Sequence, residues 1–135
     1  MANTRKETAP LEKLREIIRA LRDKETGCPW DLEQTIENYP KNILNEAQEI
    51  QKAVDDGNPE NLKEELGDTL FNLLFMIHMA EEKDLFRLSD VIESSRRKMI
   101  RRHPHVFGEK KATSPEEALR YFKNEKEKEK KENRG

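Results

Sequence analysis

Apolar residues recur every three or four positions through most of the chain, a spacing typical of amphipathic helices. No stretch alternates apolar and polar residues as a strand does, so the sequence predicts an all-α protein. We expect an antiparallel core resembling a four-helix bundle, with an additional C-terminal helix. The predicted elements are a helix over Thr8–Lys24, a second opened by Pro40, a third capped by Asn58, a fourth from Ser89 to Arg102 and a last one started by Ser114.

The third predicted helix is apolar on two sides. Its main stripe is Leu62, Leu66, Leu70, Leu73 and Ile77, and the second set is Phe71, Phe75 and Met79. A helix that is apolar all round is buried all round, and the second side most simply meets another subunit, which predicts a homodimer or homotetramer. The alternative is that the first and fourth helices cover both sides within one chain. The fourth helix should turn inward Val91, Ile92, Ser95 and Met99.

Composition limits the organisation and the partners of the chain. Its 135 residues predict one domain over residues 1–122 and a charged tail over 123–135, expected to be a solvated helix end or disordered rather than a site. The net charge of −2 provides no field for nucleic acid or an anionic membrane. A single cysteine, Cys28, excludes an internal disulfide. With neither a signal run nor a membrane-length apolar run, we expect a cytoplasmic protein.

Two pairs of carboxylates flank the predicted turn between the second and third helices. Glu46 and Glu49 precede Gly57 by eleven and eight residues. Glu65 and Asp68 follow it by eight and eleven, so antiparallel helices bring the pairs level with each other. Like charges at such range repel unless a cation lies between them. Four oxygen ligands favour Mg²⁺, or Mn²⁺, over zinc, although structural ion pairs form similar clusters.

Basic residues gather at the end of the fourth predicted helix. Lys98 and Arg102 lie one turn apart and Arg101 is adjacent, so one face presents several cationic donors. Such donors beside a divalent cation are what a polyphosphate requires, because its charge must be neutralised from both sides. A solvated basic helix, or one bound to a nucleic acid backbone, is the alternative.

The only tryptophan and the residues that could bind zinc are less informative about function. Trp30 stands in a loop, where an indole either stacks on a base or anchors a core. No short zinc motif is formed by Cys28, His78, His103 and His105. His78 lies in an apolar run, where a core histidine is expected. We therefore predict no zinc site.

Four sequence blocks carry a resemblance to a known family. They are Gly27-Cys28-Pro29-Trp30-Asp31 with Gln34-Thr35, Glu46-x-x-Glu49, Glu64-Glu65-Leu66-Gly67-Asp68, and Arg101-Arg102-His103-Pro104-His105-Val106-Phe107-Gly108. With these blocks the chain resembles the MazG-type nucleoside triphosphate pyrophosphohydrolases, all-α enzymes of the group that includes dimeric dUTPases and phosphoribosyl-ATP pyrophosphatases. The first and last blocks are specific to this branch, whereas the carboxylate pairs mark the wider group.

The resemblance implies Mg²⁺-dependent hydrolysis of a nucleoside triphosphate to the monophosphate and pyrophosphate. The implied roles are metal binding by Glu46, Glu49, Glu65 and Asp68, phosphate binding by Lys98, Arg101 and Arg102, and a nucleoside pocket bordered by Trp30. Lys98, Arg101 and Arg102 are expected to stabilise the leaving pyrophosphate, and Lys98 and Arg102 are the two predicted as catalytic. Glu49 is the candidate to take the proton of the attacking water, although the sequence leaves the choice of carboxylate open.

Two departures and two alternatives accompany that implication. Asn45 stands where the family usually has another glutamate, and Phe122 stands where relatives often have tryptophan, so rate or selectivity is expected to differ. One alternative is a base-selective pyrophosphatase acting on dUTP or dCTP. The other is a non-catalytic regulatory or RNA-binding dimer that uses the Arg96–Arg102 face and needs no Mg²⁺.

Overall fold

A computed structural model of the protein describes the backbone of residues 2–134 and the side chains of residues 9–133. Within that part it has seven helices and no strand, which confirms the all-α class. They are α1 (Ala2–Leu21), α2 (Pro29–Leu32), α3 (Pro40–Asp55), α4 (Pro59–Glu82), α5 (Leu88–Arg102), α6 (Pro104–Phe107) and α7 (Pro115–Arg134). The chain divides into two compact units, Met1–Leu88 and Ser89–Gly135. Of the helices described, none is both long and apolar enough to cross a membrane.

Several helices begin where the local sequence indicates. α3 starts at Pro40, whose missing amide proton costs nothing at the first helical position. The side chain of Asn58 caps α4, accepting the Asn61 amide at 3.1 Å. The Ser114 hydroxyl does the same for α7, accepting the Glu117 amide at 3.1 Å. Each of these starts was predicted because it depends only on neighbouring residues.

Two helix starts differ from the prediction. α1 begins at Ala2, so Pro10 lies inside the helix and not in its first turn. α5 begins at Leu88, one residue before the expected cap Ser89. The Leu88 amide donates to a carboxylate oxygen of Glu81 at 2.9 Å, so a side chain of the preceding helix replaces the local cap. The loop predicted after α5 also contains the single-turn helix α6.

The core of the first unit is built where α1, the segment before α3 and α4 meet. Ile18 of α1 and Phe75 of α4 are almost fully buried. Tyr39, just ahead of α3, stacks on Phe75 with ring centroids 4.7 Å apart. Its hydroxyl donates to Asn72 Oδ1 at 2.9 Å, which satisfies the buried phenol. This core fixes the face that α4 turns toward the rest of the first unit.

That face reverses the two sides predicted for α4. Phe75 and Met79, predicted as the side left for another subunit, are 0% and 2% exposed within the chain. Leu66, Leu70 and Leu73 of the predicted main stripe remain 51%, 46% and 45% exposed. That part of the prediction was wrong, because Tyr39 and α1 supply partners for the phenylalanine side that the period of α4 alone does not reveal.

The predicted inward face of α5 is also wrong. Val91, Ile92 and Met99 are 36%, 51% and 39% exposed, and Ser95 is exposed as well. Charged side chains of α5 engage α7 instead, since Arg101 and Arg102 both pair with Glu129 there. Residues 123–134 continue α7, so the charged tail is helical.

Candidate metal centre and phosphate-binding residues

The turn between α3 and α4 sets the register of the predicted acidic pairs. Gly57 has a φ of 62°, a left-handed conformation that glycine adopts without steric cost. Its amide donates to the Val54 carbonyl at 3.1 Å, and the Asn58 amide donates to the Ala53 carbonyl at 3.2 Å. These two bonds form the Schellman ending of a helix. Because Pro59 opens α4 directly afterwards, the hairpin is tight and its two helices run back along each other.

The hairpin brings three of the four predicted carboxylates together. One oxygen each from Glu46, Glu65 and Asp68 lies within 4.8 Å of the others. Glu46 and Glu65 are half-buried, whereas Asp68 is exposed. Glu49 is exposed and stands outside this three-residue group. We call Glu46, Glu65 and Asp68 the acidic cluster.

The charges of the cluster oppose one another. The pKa of Glu65 is raised from 4.5 to about 7, first by a hydrogen bond with Glu46 that its protonated form makes, and then by partial burial. Repulsion from Glu46, Asp68 and Glu49 adds to the rise in this pKa. Glu49 therefore influences the cluster electrostatically although it is not one of its three members. The cluster therefore resists carrying its full negative charge near neutral pH.

The donor set fits a hard divalent cation. One oxygen of Glu46, Oε2, is buried and has no hydrogen-bond partner among the described residues. Across residues 9–133, no lysine or arginine forms an ion pair with any member of the cluster. Converging carboxylate oxygens are the ligands that Mg²⁺ or Mn²⁺ accepts. These residues could therefore hold such an ion.

Gly67, between two cluster members, has no tight packing within the chain. A Cβ built there meets no atom within 4 Å, so no neighbouring helix of the described chain requires a glycine at this position. Asn42, one helical turn before Glu46, was missed by the sequence reasoning. Its side-chain nitrogen is buried without a hydrogen-bond partner in the described part of the chain. The i, i+4 spacing from Glu46 was the available signal.

Trp30 lies on the single-turn helix α2 and is 56% exposed. Its main-chain oxygen accepts a hydrogen bond from the side-chain Nε2 of Gln34 at 2.9 Å. The glycine before this loop is required sterically, because a Cβ at Gly27 would lie 2.4 Å from the carbonyl oxygens of Leu21 and Asp23. The loop is thus tightly built, yet it leaves the indole outside the core. Because the indole is exposed, this geometry favours the interpretation that Trp30 stacks on a base over the interpretation that it anchors a core.

Arg22 holds this loop in place, a role that the sequence reasoning missed. Its Nη1 donates to the main-chain oxygens of Asp31, Leu32 and Gln34 at 2.7, 3.3 and 3.2 Å. Its Nη2 pairs with a carboxylate oxygen of Glu82 at 2.6 Å. The available signal was a basic residue directly after an apolar helix and just ahead of a Gly- and Pro-containing loop.

The predicted phosphate-binding residues belong to the second unit. Lys98, Arg101 and Arg102 line one groove between α5 and α7. Both arginines are engaged by one carboxylate of α7, since Arg101 Nε lies 2.7 Å and Arg102 Nη2 lies 2.8 Å from the oxygens of Glu129. The structure therefore gathers these cations but supplies them with an internal anion.

The histidines lie in separate settings. His78 Nε2 lies 3.4 Å from a carboxylate oxygen of Glu82, as a half-buried helical residue with a partner. The rings of His103 and His105 are 5.5 Å apart, and His105 also stacks on Tyr121 at 5.6 Å. In the described part of the chain, the acidic cluster is the group of candidate metal ligands that converges, and it contains neither histidine nor cysteine.

Comparison with known proteins gives a consistent picture. The profile of the MazG nucleotide pyrophosphohydrolase domain matches residues 34–107. The chain is 43% identical over 98 residues to a nucleoside triphosphate pyrophosphohydrolase/pyrophosphatase MazG of Thermotoga maritima, covering 73% of this chain and 38% of that protein. It is 38% identical over 109 residues to a nucleoside triphosphate pyrophosphohydrolase of Escherichia coli K12, covering 81% of this chain and 41% of that protein.

A solved structure shares the fold over nearly its whole length. It is the crystal structure of a MazG-related protein from Thermotoga maritima, with a TM-score of 0.70 and 33% sequence identity. The match covers 86% of this chain and 98% of that chain. By contrast, this chain spans only 38% and 41% of the lengths of the two curated relatives above.

Proposed function

Because the chain belongs to the MazG nucleotide pyrophosphohydrolase family, we propose that it hydrolyses nucleoside triphosphates to the monophosphate and pyrophosphate with Mg²⁺. The observation that carries the proposal is the acidic cluster, whose three oxygens converge within 4.8 Å. Carboxylates that repel one another without a neighbouring base destabilise a fold, and such clusters occur mainly at functional sites. In a family that acts on highly charged phosphates, that function is to bind the cation that accompanies the substrate.

Glu46, Glu65 and Asp68 would hold the ion. Glu49 would be either a fourth ligand or the base that takes the proton of the attacking water. A bound divalent cation supplies charge neutralisation and draws electron density from phosphorus. Glu65 must give up its proton to act as a ligand, and its pKa of about 7 allows this near neutral pH. The unpaired amide nitrogen of Asn42 is available to donate to substrate or bound water.

The reaction breaks the bond between the α-phosphorus and its bridging oxygen. The oxygen of a water molecule forms the new bond to the α-phosphorus, and pyrophosphate leaves with the bonding electrons. Glu49 is assigned as the base that takes the water's proton, because it is exposed and adds its charge to the cluster without being one of its three converging members.

Lys98, Arg101 and Arg102 are assigned to the phosphates. They share a face of α5, and their side chains line one groove, so they can neutralise charge that accumulates on the leaving pyrophosphate. Trp30 is assigned to the nucleoside, since its exposed indole sits on a rigidly held loop. An indole stacks on any base, which makes broad selectivity the expected result.

We further propose that the protein acts as a homodimer or homotetramer. The support is the exposed leucine side of α4, where Leu66, Leu70 and Leu73 leave about half of their surface in solvent. Contiguous apolar surface of this kind marks an interaction site. Sedimentation of the wild-type protein should give a mass above the 15.9 kDa of one chain, and Leu70→Asp should return it to that mass.

The test of the activity is a panel of ribo- and deoxyribonucleoside triphosphates incubated with the purified protein and Mg²⁺. We expect equal amounts of monophosphate and pyrophosphate from several bases, and no reaction with EDTA. Turnover of dUTP or dCTP alone would replace the broad assignment by a base-selective one. Absence of pyrophosphate with every substrate, together with salt-sensitive RNA binding, would reject the enzymatic assignment.

A further inference from the structure

A groove runs between α5 and α7 and lies wholly within the second unit. Its volume is about 530 Å³, and its basic lining residues are Lys98, Arg101, Arg102, Lys126 and Lys130. Glu129 and Glu132 are the acidic residues of the lining. We call this the α5–α7 groove. Since one water molecule takes about 30 Å³ of liquid, the groove has room for a small anion and its hydration.

Glu129 occupies the arginines of the groove. Its Oε1 lies 2.7 Å from Arg101 Nε, and its Oε2 lies 2.8 Å from Arg102 Nη2. The Glu129 side chain is 14% exposed, as buried as its partner Arg102 at 12%. These charge-assisted bonds lower the pKa of Glu129 from 4.5 to about 2, so it is ionised near neutral pH.

The contacts of Glu129 resemble those that a phosphate group makes. A guanidinium offers parallel donors that suit either two carboxylate oxygens or two phosphate oxygens. Arg102 is also fixed by its guanidinium lying 5.2 Å from the centre of the Phe122 ring, so the donors are already oriented. A multiply charged anion could take up the same donors and reach Lys126 and Lys130 as well.

The remaining charge of the groove favours such an exchange. Lys98, Lys126 and Lys130 line it in addition to the two paired arginines. Lys130 Nζ also lies 3.9 Å from a carboxylate oxygen of Glu127, so the five bases of the lining face three carboxylates, those of Glu127, Glu129 and Glu132. An anion with several charges gains more from the same donors than one carboxylate does, and the displaced Glu129 can be hydrated at the rim.

We propose that Glu129 is an internal competitor in the α5–α7 groove: an incoming pyrophosphate displaces it from Arg101 and Arg102, and Lys126 and Lys130 contact the anion from α7. The identity of the anion rests on the proposed function. The role of α7 does not, since it follows from the contacts within the groove. Glu129 is then an internal competitor whose removal should tighten anion binding.

The experiment is calorimetric titration of the full chain with inorganic pyrophosphate in EDTA, so that no metal takes part. Compared with wild type, Glu129→Gln should bind pyrophosphate about tenfold more tightly. This factor corresponds to the loss of one charge-assisted interaction that competes with the anion. The matched control is Glu116→Gln, the same charge change on an exposed residue of α7 outside the groove. Its affinity should follow the wild-type value.

Unchanged or weaker binding by a folded Glu129→Gln protein would overturn the proposal, because a purely structural ion pair predicts that result. If this variant does not fold, NMR of the wild-type protein can test whether pyrophosphate contacts the two arginines. Pyrophosphate should then shift the Nε–Hε signals of both Arg101 and Arg102, and Lys126→Ala should reduce the affinity. Arginine signals that do not move at saturating pyrophosphate would equally reject the site.

These readouts separate the site from the proposed activity. A chain that binds pyrophosphate in the groove but hydrolyses no triphosphate would retain the inference and lose the function. A chain that hydrolyses triphosphates while Glu129→Gln leaves pyrophosphate affinity unchanged would retain the function and lose the inference.

Discussion

Glu65 and Glu129 are the same residue type in opposite electrostatic settings. Glu65 faces Glu46 and Asp68, and its pKa is raised to about 7. Glu129 faces Arg101 and Arg102, and its pKa is lowered to about 2. In one place the fold assembles charges that resist ionisation, and in the other it pairs them.

The difference indicates which carboxylates are positioned for a ligand. A paired carboxylate such as Glu129 is satisfied by the chain and holds two helices together. Glu65 and its neighbours form no ion pair with a described lysine or arginine, so their repulsion is relieved either by a proton on Glu65 or, as we propose, by a bound cation. Acidic residues are spread along this whole chain, and among the described residues the cluster is distinguished by three carboxylate oxygens that converge within 4.8 Å.

The largest effect is expected when a member of the acidic cluster loses its charge, which tests whether the cluster is the metal centre. Glu65→Gln should lower Mg²⁺-dependent pyrophosphate release more than about 100-fold, since even outer-shell partners of a metal cost 10–100-fold when lost. The control Glu60→Gln changes an exposed acid of the same helix α4 and should keep full activity. Circular dichroism should report the same helix content for both. Near-normal release by Glu65→Gln would mean that the cluster is not the metal centre.

The second test addresses the basic side. Lys98→Ala should reduce kcat/KM by about 10- to 100-fold, the range for losing one hydrogen bond to a charged group. Arg97→Ala, on the same helix but 70% exposed and outside the groove, should lie near the wild-type value. Equal losses in both variants would indicate that general positive charge, and not the groove, attracts the substrate.

The third test uses the pH dependence of metal binding. Because the pKa of Glu65 is about 7, protons compete with the ion, and Mg²⁺ affinity should fall by up to about tenfold for each pH unit below 7. Calorimetric Mg²⁺ titrations between pH 5.5 and 8 measure this slope. A flat profile would show that Glu65 is already ionised without metal, contrary to the geometry of the cluster.

Glu65 and Glu129 should have opposite effects on the pH dependence of stability. These are the smallest effects that we predict. The pKa of Glu65 is higher in the folded state than its ordinary value of 4.5, so its ionisation should reduce the metal-free free energy of unfolding as pH rises from 4.5 toward 7. Glu129 has a lowered pKa, so its contribution is present above 4.5 and lost as pH falls toward 2. Metal-free Glu65→Gln should therefore melt higher than wild type at pH 8, and Glu129→Gln lower.

Local sequence signals were sufficient for part of the fold. Pro40, Asn58 with Pro59, and Ser114 start helices as predicted, because a cap or a proline acts on residues within one turn. The hairpin around Gly57 was predictable for the same reason. The same spacing argument brought Glu46, Glu65 and Asp68 together, but Glu49, which it also included, lies outside the cluster.

What the sequence could not determine were the contacts between residues far apart in the chain. The buried side of α4 depends on Tyr39 stacking on Phe75, and the start of α5 depends on Glu81 accepting the Leu88 amide. The charged tail looked like a solvated run, yet Glu129 is 14% exposed and holds two arginines of α5.

The sequence by itself thus determined the helical class, several helix starts and the convergence of three of the four predicted acids, because these follow from helical geometry and nearest neighbours. Only the tertiary structure decided which face of α4 is buried and which charges find a partner. Burial and ionisation depend on the atoms that surround a side chain, and those atoms come from distant parts of the chain.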